Sequence, residues 1–394
     1  MLSEICSLSL PNHLISSMKL LITILFLLTI TMVVCQKKEQ IYLFIGSYTE
    51  GIPSTGIYVY EFNKHSGKLK PVSQVENLTN ASFITLSSNG QFLYAITESK
   101  LHQNGNVNAF KIDSIKGVIS LLNKQSSEGE NPVYLSVSRS NKIVVNANYT
   151  TSSVSVYSTN NDGSLNAAIQ TIPFSGRSII EERQEKAHIH AAVFSPKQDF
   201  VFFPDLGSDQ IRVFRVDSTK SQPLVSVDSL NIQCIPGSGP RHFIFHPNEQ
   251  FAYCIEELSG MVSAYTYSNG KLDSIQRIFS YSKLQKSYAS ADIHTSPDGD
   301  FLYTSNRSES ENTLAIFSID SISGALKLVG HQYTFGEHPR NFVIDPSGNF
   351  LLVANQVTKN IVVFRRDLQT GLLTKLKLEI TLPTSPSCLV MRVF

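Results

Sequence analysis

Residues 237–258 read GSGPRHFIFHPNEQFAYCIEEL. Two short apolar runs, Phe243–His246 and Phe251–Ile255, flank Pro247–Gln250, whose composition is that of a turn. The stretch therefore reads as a β-hairpin. Ionisable residues gather at its open end. Arg241 and His242 start the first strand, and Glu256 and Glu257 finish the second. In an antiparallel pair those two ends lie side by side.

The same pattern recurs along the chain: ASFITLSSNGQFLYAITE from Ala81, PVYLSVSRSNKIVVNAN from Pro132, HAAVFSPKQDFVFFPDL from His190, ADIHTSPDGDFLYTSNR from Ala291 and PRNFVIDPSGNFLLVANQ from Pro339. A truncated copy, SPSCLVMRVF, starts at Ser385. Further β-rich runs follow each full copy, and the spacing of roughly 50 residues fits four short strands with their turns. That period, with almost no helical pattern, predicts an all-β fold, a seven-bladed β-propeller. The last copy has no outer strands after it. The first outer runs, IYLFIGSYTEG and GIYVYEFN, have no inner strand before them. Pairing Ser385–Phe394 with the blade begun at Ile41 completes the seventh blade and hides the open edge.

Charged residues are 16% of the chain and the net charge is +1, with no basic stripe among aromatics, so nucleic acid is not an expected partner. The N-terminus has its own composition. MKLLITILFLLTITMVVC from Met18 has a lysine followed by an apolar run, Leu20–Val34, of signal-sequence length and short for a membrane span. We therefore expect a leader and signal segment over 1–35 and one propeller domain over 36–394. The protein is expected to be exported, periplasmic or secreted, with a lipid anchor at Cys35 as the alternative. The mature chain should keep no membrane span and act as a monomer. Cys234, Cys254 and Cys388 are spaced for neither a disulfide framework nor a zinc site, and no cofactor is expected. Asn77, Asn80, Asn148 and Asn306 match the glycosylation acceptor pattern.

In a propeller the inner strands start, and the second strands end, at one mouth of the central channel. Applied to each copy, this places His190 with Asp205, Arg241 with Glu257, His294 with Asn306 and Arg307, and Arg340 with Asn355 and Gln356 on a shared rim. The early blades carry Ser82 and Val133 or Tyr134 there. Polar strand ends are ordinary. Histidines, arginines and a glutamate accumulated over four consecutive blades point instead to a site. His188 and His242 point elsewhere by strand alternation, and His246 serves its turn. EERQEK at 181–186 reads as a solvated loop or a lid.

The segments HIHAAVFSP with FPDLGSDQIRVF, GSGPRHFIFHPN with EEL, ADIHTSPDGDFLYTSNR and FIGSYTEGIPSTGIYVYEF resemble the seven-bladed propeller lactonases, which include bacterial 6-phosphogluconolactonases and the fungal carboxy-muconate lactonising enzyme. The resemblance spans Ile41–Phe394. It implies a metal-independent catalyst with its site at one channel mouth. Carried over by motif, the family's His–Arg–Glu–Arg set falls on His190, Arg241, Glu257 and Arg307. His294, Arg340 and Asn355 would bind substrate. Two features depart from the family: the export signal, and Glu256 where an asparagine is usual. The expected function is hydrolysis of a small, anionic sugar lactone. Glu257 or His190 would activate water, and Arg241 and Arg307 would hold the carbonyl oxygen as it becomes negative. Cycloisomerisation of a muconate-like dicarboxylate is one alternative, and a non-catalytic secreted propeller that binds a ligand or protein is the other.

Overall fold

Six hairpins turn on one local device. A buried Ser, His or Asp closes the inner strand, and its carbonyl accepts from the N–H three residues later. The pairs are Gly90 to Ser87, Asn141 to Ser138, Gln198 to Ser195, Glu249 to His246, Gly299 to Ser296 and Gly348 to Asp345, all at 2.8–2.9 Å. The donating residue has positive φ every time, from +56° at Asn141 to +81° at Gly299. Glycine fills three of these positions. Asn141, Gln198 and Glu249 bear a left-handed cost of roughly 1–2 kcal/mol each. In five turns the first side chain also accepts the N–H that opens the returning strand, as Ser87 does from Phe92 at 2.9 Å and Asp345 from Phe350 at 2.7 Å. His246 differs. Its Nδ1 accepts from the Asn248 N–H at 3.1 Å, and its Nε2 lies 2.7 Å from the Gly299 carbonyl of the next blade.

The structure is a computed structural model that describes residues 39–50, 54–97 and 103–394, together with 11, 13, 17 and 19. The chain divides into Met1–Glu39 and the compact unit Gln40–Phe394. The apolar run Leu20–Val34 and Cys35, which carry the expectation of export, lie outside the described residues. Among the described residues no helix is long and apolar enough to cross a membrane.

Seven antiparallel sheets make up the compact unit among the described residues. Blade 1 orders Ser385–Val393, Ile41–Tyr48, Ile57–Phe62 and Leu69–Val75. Blade 2 is Ile84–Leu86, Phe92–Thr97, Asn104–Asp113 and Val118–Glu130; blade 3 is Pro132–Val137, Ile143–Asn148, Ser153–Thr159 and Leu165–Pro173. Blade 4 has a short inner strand, Val193–Phe194, then Phe200–Asp205, Gln210–Val216 and Leu224–Ser226, with Ile232–Gln233 added beside the third. Blade 5 is Pro240–Phe245, Phe251–Glu256, Met261–Ser268 and Lys271–Phe279. Blade 6 is Ser290–Thr295, Phe301–Ser308, Glu311–Ile319 and Leu326–Tyr333; blade 7 is Pro339–Ile344, Phe350–Asn355, Asn360–Arg366 and Leu373–Thr381.

Strand alternation packs the blades into a ring. Ile41, Leu43 and Ile45 of blade 1 pack with Phe350, Leu352 and Ala354 of blade 7. The intervening Tyr42 and Phe44 pack with Leu93 and Ala95 of blade 2. The last strand closes the ring: Val393 pairs with Ile41, Met391 with Leu43, Leu389 with Ile45 and Ser385 with Tyr48.

Two registers position the mouth. Asn148, Asp205, Glu256, Asn306 and Asn355 each end a second strand or its ladder, opposite Pro132, Ile189, Pro240, Ser290 and Pro339. All five are buried. Three of them fasten their blade to the segment that enters it: Asn148 Nδ2 donates to the Ser127 carbonyl (2.9 Å), Asn306 to Ser280 (2.6 Å) and Asn355 to Thr334 (3.1 Å). Glu256 replaces the amide in blade 5. Its charge is matched within the blade by Arg277, whose Nη2 is 2.6 Å away, and by hydroxyl donation from Ser259 and Ser263. Burial also removes Asn80, Asn148 and Asn306 as glycosylation acceptors, while Asn77 is exposed.

Deleting Ser385–Phe394 should strip the partner from Ile41–Tyr48 and uncover the apolar faces on both sides of blade 1. The expected result is aggregation, or a monomeric fraction without activity, in size-exclusion chromatography and turnover assays. A truncated protein with the full chain's elution volume, melting midpoint and activity would rule out closure by this strand.

Candidate active site

The side chains that follow four of the five buried strand-end residues reach the mouth; that of Leu206, after Asp205, does not. Tyr149, Glu257, Arg307 and Gln356 are the successors of Asn148, Glu256, Asn306 and Asn355, and all four line one cavity of about 420 Å³. The inner strands contribute through bulges. Val133, Arg241 and Arg340 are the extra residues between paired neighbours in blades 3, 5 and 7. A bulge re-aims a side chain that strict alternation would place elsewhere. Val133 and Arg340 line the cavity with His190, whose blade has only the isolated bridge Ile189–Asp205 at that level. Tyr48, Asn131, Arg183 and His338 complete the wall.

Glu257 is the centre of charge. Its Oε1 accepts from Arg183 at 2.6 Å, and its Oε2 accepts from Arg241 Nε at 2.7 Å and Arg307 Nη2 at 3.0 Å. Burial alone would raise its pKa. Arg307, Arg241 and Arg183 outweigh that and hold the carboxyl far below the usual carboxylate range. Both carboxylate oxygens are engaged by arginines. Arg241 is 1% exposed and lies beneath Glu257 rather than on the cavity wall. Burial, then the positive charge of Arg307, pushes Arg241 down to about 9, so it remains a cation at neutral pH. Its guanidinium donates to Glu257, to His242 and to the Ala291 carbonyl.

The two histidines on the wall are neutral. A guanidinium can only donate. The 2.7 Å contact from Arg307 Nη1 therefore makes His338 Nε2 the bare nitrogen. Burial and then Arg307 and Arg340 lower the His338 pKa to about 3. Among the described residues His190 has no acidic partner. Its Nδ1 is buried without a hydrogen bond, and burial, then Arg241, keeps its pKa well below the ordinary imidazole value.

One layer below lies a second set. His242 Nε2 accepts from Arg241 Nη1 at 3.2 Å, so its Nδ1 carries the proton and donates to Asp292 Oδ1 at 2.8 Å. Asp292 Oδ2 receives His294 at 3.0 Å and the Phe342 N–H at 3.3 Å, and it also accepts from Asn341 Nδ2. Asn341 Oδ1 in turn accepts the Leu389 N–H at 2.6 Å. These groups border a separate, largely apolar channel cavity of about 410 Å³.

Two expected substrate-binding residues therefore fall outside the mouth. His294 sits two residues past Asp292 on the same strand face, about 7 Å deeper, and lines the lower channel. Asn355 is wholly buried on its Thr334 bond, and its successor Gln356 reaches the cavity instead. Asp205 is likewise structural: it accepts the His188 N–H at 2.8 Å and pairs with Arg212. The segment expected to be a solvated loop contains the helical turn Glu181–Gln184, which carries Arg183 into the site. Sequence reading missed Arg183, His338, Tyr149 and Tyr48. Tyr149 was reachable, because it stands after Asn148 as Glu257 stands after Glu256. Tyr48 lies under Arg340, whose guanidinium carbon is 5.1 Å from the ring centre.

The family model described as Lactonase, 7-bladed beta-propeller, matches residues 42–391. A 6-phosphogluconolactonase of Formosa agariphila is 47% identical over 347 residues, which is 88% of this chain and 98% of that protein. A 6-phosphogluconolactonase of Bacillus subtilis is 35% identical over 344 residues, covering 86% and 95%. The structure of a periplasmic gluconolactonase from Pseudomonas aeruginosa superposes with a TM-score of 0.83 at 33% identity, covering 89% of this chain and 99% of that one.

The depressed histidines make stability pH-dependent. His242, lowered to about 4 by burial and Arg241, and His338 and His190 stay neutral in the fold while their unfolded counterparts protonate near pH 6.5. The unfolded chain then binds more protons, so the stability they contribute is complete above about pH 6.5 and falls as pH drops toward 4. Below about pH 4.5 the depressed Glu257 and Asp292 carboxylates add a loss of the same sign. Chemical denaturation from pH 8 to 4 should show stability decreasing throughout the acid range, with up to about three protons taken up on unfolding near pH 5. Flat stability between pH 6.5 and 4.5 would mean that these histidines are not held neutral.

Proposed function

We propose that this chain, which belongs to the seven-bladed β-propeller lactonase family, hydrolyses the ester bond of a sugar lactone that carries a negative charge. One observation carries the chemistry. Among the described residues, a neutral imidazole with no acidic partner, His190, shares a cavity with Arg183, Arg307 and Arg340, while the Glu257 carboxylate there is already neutralised. Lactonase relatives support the reaction type, and two of them are named for a phosphorylated sugar lactone. The cavity's volume falls in the roughly 300–1,000 Å³ range of small-molecule sites.

His190 is the base in this reading. It takes a proton from water as the water oxygen bonds to the lactone carbonyl carbon. Arg307 and Arg340, from neighbouring blades, stabilise the oxygen that becomes negative. When the intermediate collapses, the bond from the carbonyl carbon to the ring oxygen breaks, and His190 returns the proton to that oxygen. The product is an open-chain hydroxy acid, which ionises to the carboxylate. Glu257 does not exchange the proton. It fixes Arg307, and Arg241 supports it from beneath. Export of the protein is part of the proposal, supported by the Leu20–Val34 run and by a relative described as periplasmic.

The test is a panel of phosphorylated and neutral aldonolactones, read by proton release with the protein lacking residues 1–35. Hydrolysis of at least one lactone is expected. His190→Ala should lower kcat by roughly 10²–10⁴. Glu257→Gln should also lower activity by releasing Arg307. Full activity of His190→Ala would remove it as the base. Inactivity of the wild type on the whole panel, with ring closure of a muconate-type dicarboxylate instead, would establish the lactonising direction.

A further inference from the structure

We propose that Arg183 is the specificity-determining residue of the cavity, exchanging its ion pair with Glu257 for one with an anionic group on the distal end of the substrate. The inference rests on the reading of this cavity as a lactone site.

Arg183 enters the mouth from outside the blade register. Residues 174–192 join blade 3 to the inner strand of blade 4 and form the longest of the connections that enter a blade. That connection is pinned. Gln184 is fully buried, its Nε2 donating to the Leu206 carbonyl at 2.8 Å and its Oε1 accepting the Ile180 N–H at 3.2 Å. The Ser178 N–H donates to the Gln184 carbonyl at 3.0 Å, and His188 stacks on Tyr149 with ring centres 4.3 Å apart. The backbone under Arg183 is thus fixed, while its long side chain extends to Glu257.

The three arginines on Glu257 are not equivalent. Arg241 and Arg307 share Oε2 and are 1% and 9% exposed, whereas Arg183, alone among the described residues, holds Oε1 and is 40% exposed. Detaching Arg183 leaves Glu257 with two buried cationic partners, so no buried charge is stranded. Detaching either of the others would break the floor of the site. A phosphate or carboxylate at the mouth offers the Arg183 guanidinium a second bidentate acceptor. Its arrival also uncovers Oε1, which is then able to accept a hydrogen bond from a sugar hydroxyl. A neutral lactone provides no such exchange and meets Oε1 still covered.

The experiment compares wild type, Arg183→Met and Arg183→Lys on glucono-δ-lactone and its 6-phosphate. In Arg183→Met the ratio of kcat/KM for the phosphorylated over the neutral lactone should fall roughly 10- to 100-fold, mainly through KM. Arg183→Lys should recover part of the loss, because it restores charge without the fork. Calorimetric binding of 6-phosphogluconate and gluconate gives a readout independent of turnover, and the preference for the phosphate should shrink in Arg183→Met. A ratio unchanged within twofold in both variants overturns the proposal. So does an equal affinity of the wild type for the two acids. If the wild type hydrolyses neither lactone, the lactonase reading fails, and the binding comparison still decides the role of Arg183. Should Arg183→Met lose its fold by circular dichroism, Arg183→Gln replaces it in the same comparison.

Discussion

A sheet of four strands leaves two edges unpaired, and a row of sheets hides its flanks only by closing into a circle. Everything else in this molecule depends on that closure. Blade 1 takes its inner strand from Ser385–Val393 and the rest from the other end of the chain. The pairing lets Ile41, Leu43 and Ile45 face blade 7 while Tyr42 and Phe44 face blade 2. Only in the closed ring do residues from positions 48 to 356 meet at one mouth.

The mouth concentrates charge that would be costly in isolation. A buried carboxylate or guanidinium loses hydration worth several kcal/mol even after relaxation, and a lone one would be strongly destabilising. Here Glu257 is surrounded by Arg183, Arg241 and Arg307, and Asp292 by His242, His294, Asn341 and the Phe342 amide. Each anion is offset by several donors, and Arg241 and His242 join the two clusters. Arginines outnumber carboxylates on the cavity wall, where Arg183, Arg307 and Arg340 face Glu257. Burial first, and neighbouring arginines second, hold His190 and His338 below the ordinary imidazole value.

The architecture was legible because the hairpin repeats with its turn chemistry intact: a Ser or Asp, a left-handed position, then an aromatic or aliphatic return. The site was less legible for a specific reason. Reading polar residues at strand ends cannot separate position n, which turns into the blade, from n+1, which faces the mouth. Asn355 and Gln356 both read as rim residues on that account, with Asn355 expected to bind substrate, yet Gln356 lines the cavity while Asn355 is buried on the Thr334 carbonyl. Period-two alternation also hides bulges, which is how Arg241 and Arg340 leave the regular ladder while His294 stays on it, two layers too deep. Arg183 lies on a connection with no repeat to compare, in a run of charged residues that resembles any solvated surface turn. Nothing local in 181–186 says that one of its side chains spans to residue 257.

The hydrogen bond from the Leu389 amide to Asn341 has a consequence for the order of events during synthesis. From that amide an unbroken series of polar contacts runs through Asn341, Asp292, His242 and Arg241 to Glu257. Leu389 belongs to the strand that leaves the ribosome after every other described strand. Until it emerges, Asn341 lacks one partner and blade 1 lacks its inner edge, so a nascent chain holds the side chains of the mouth without the pairing that brings them together.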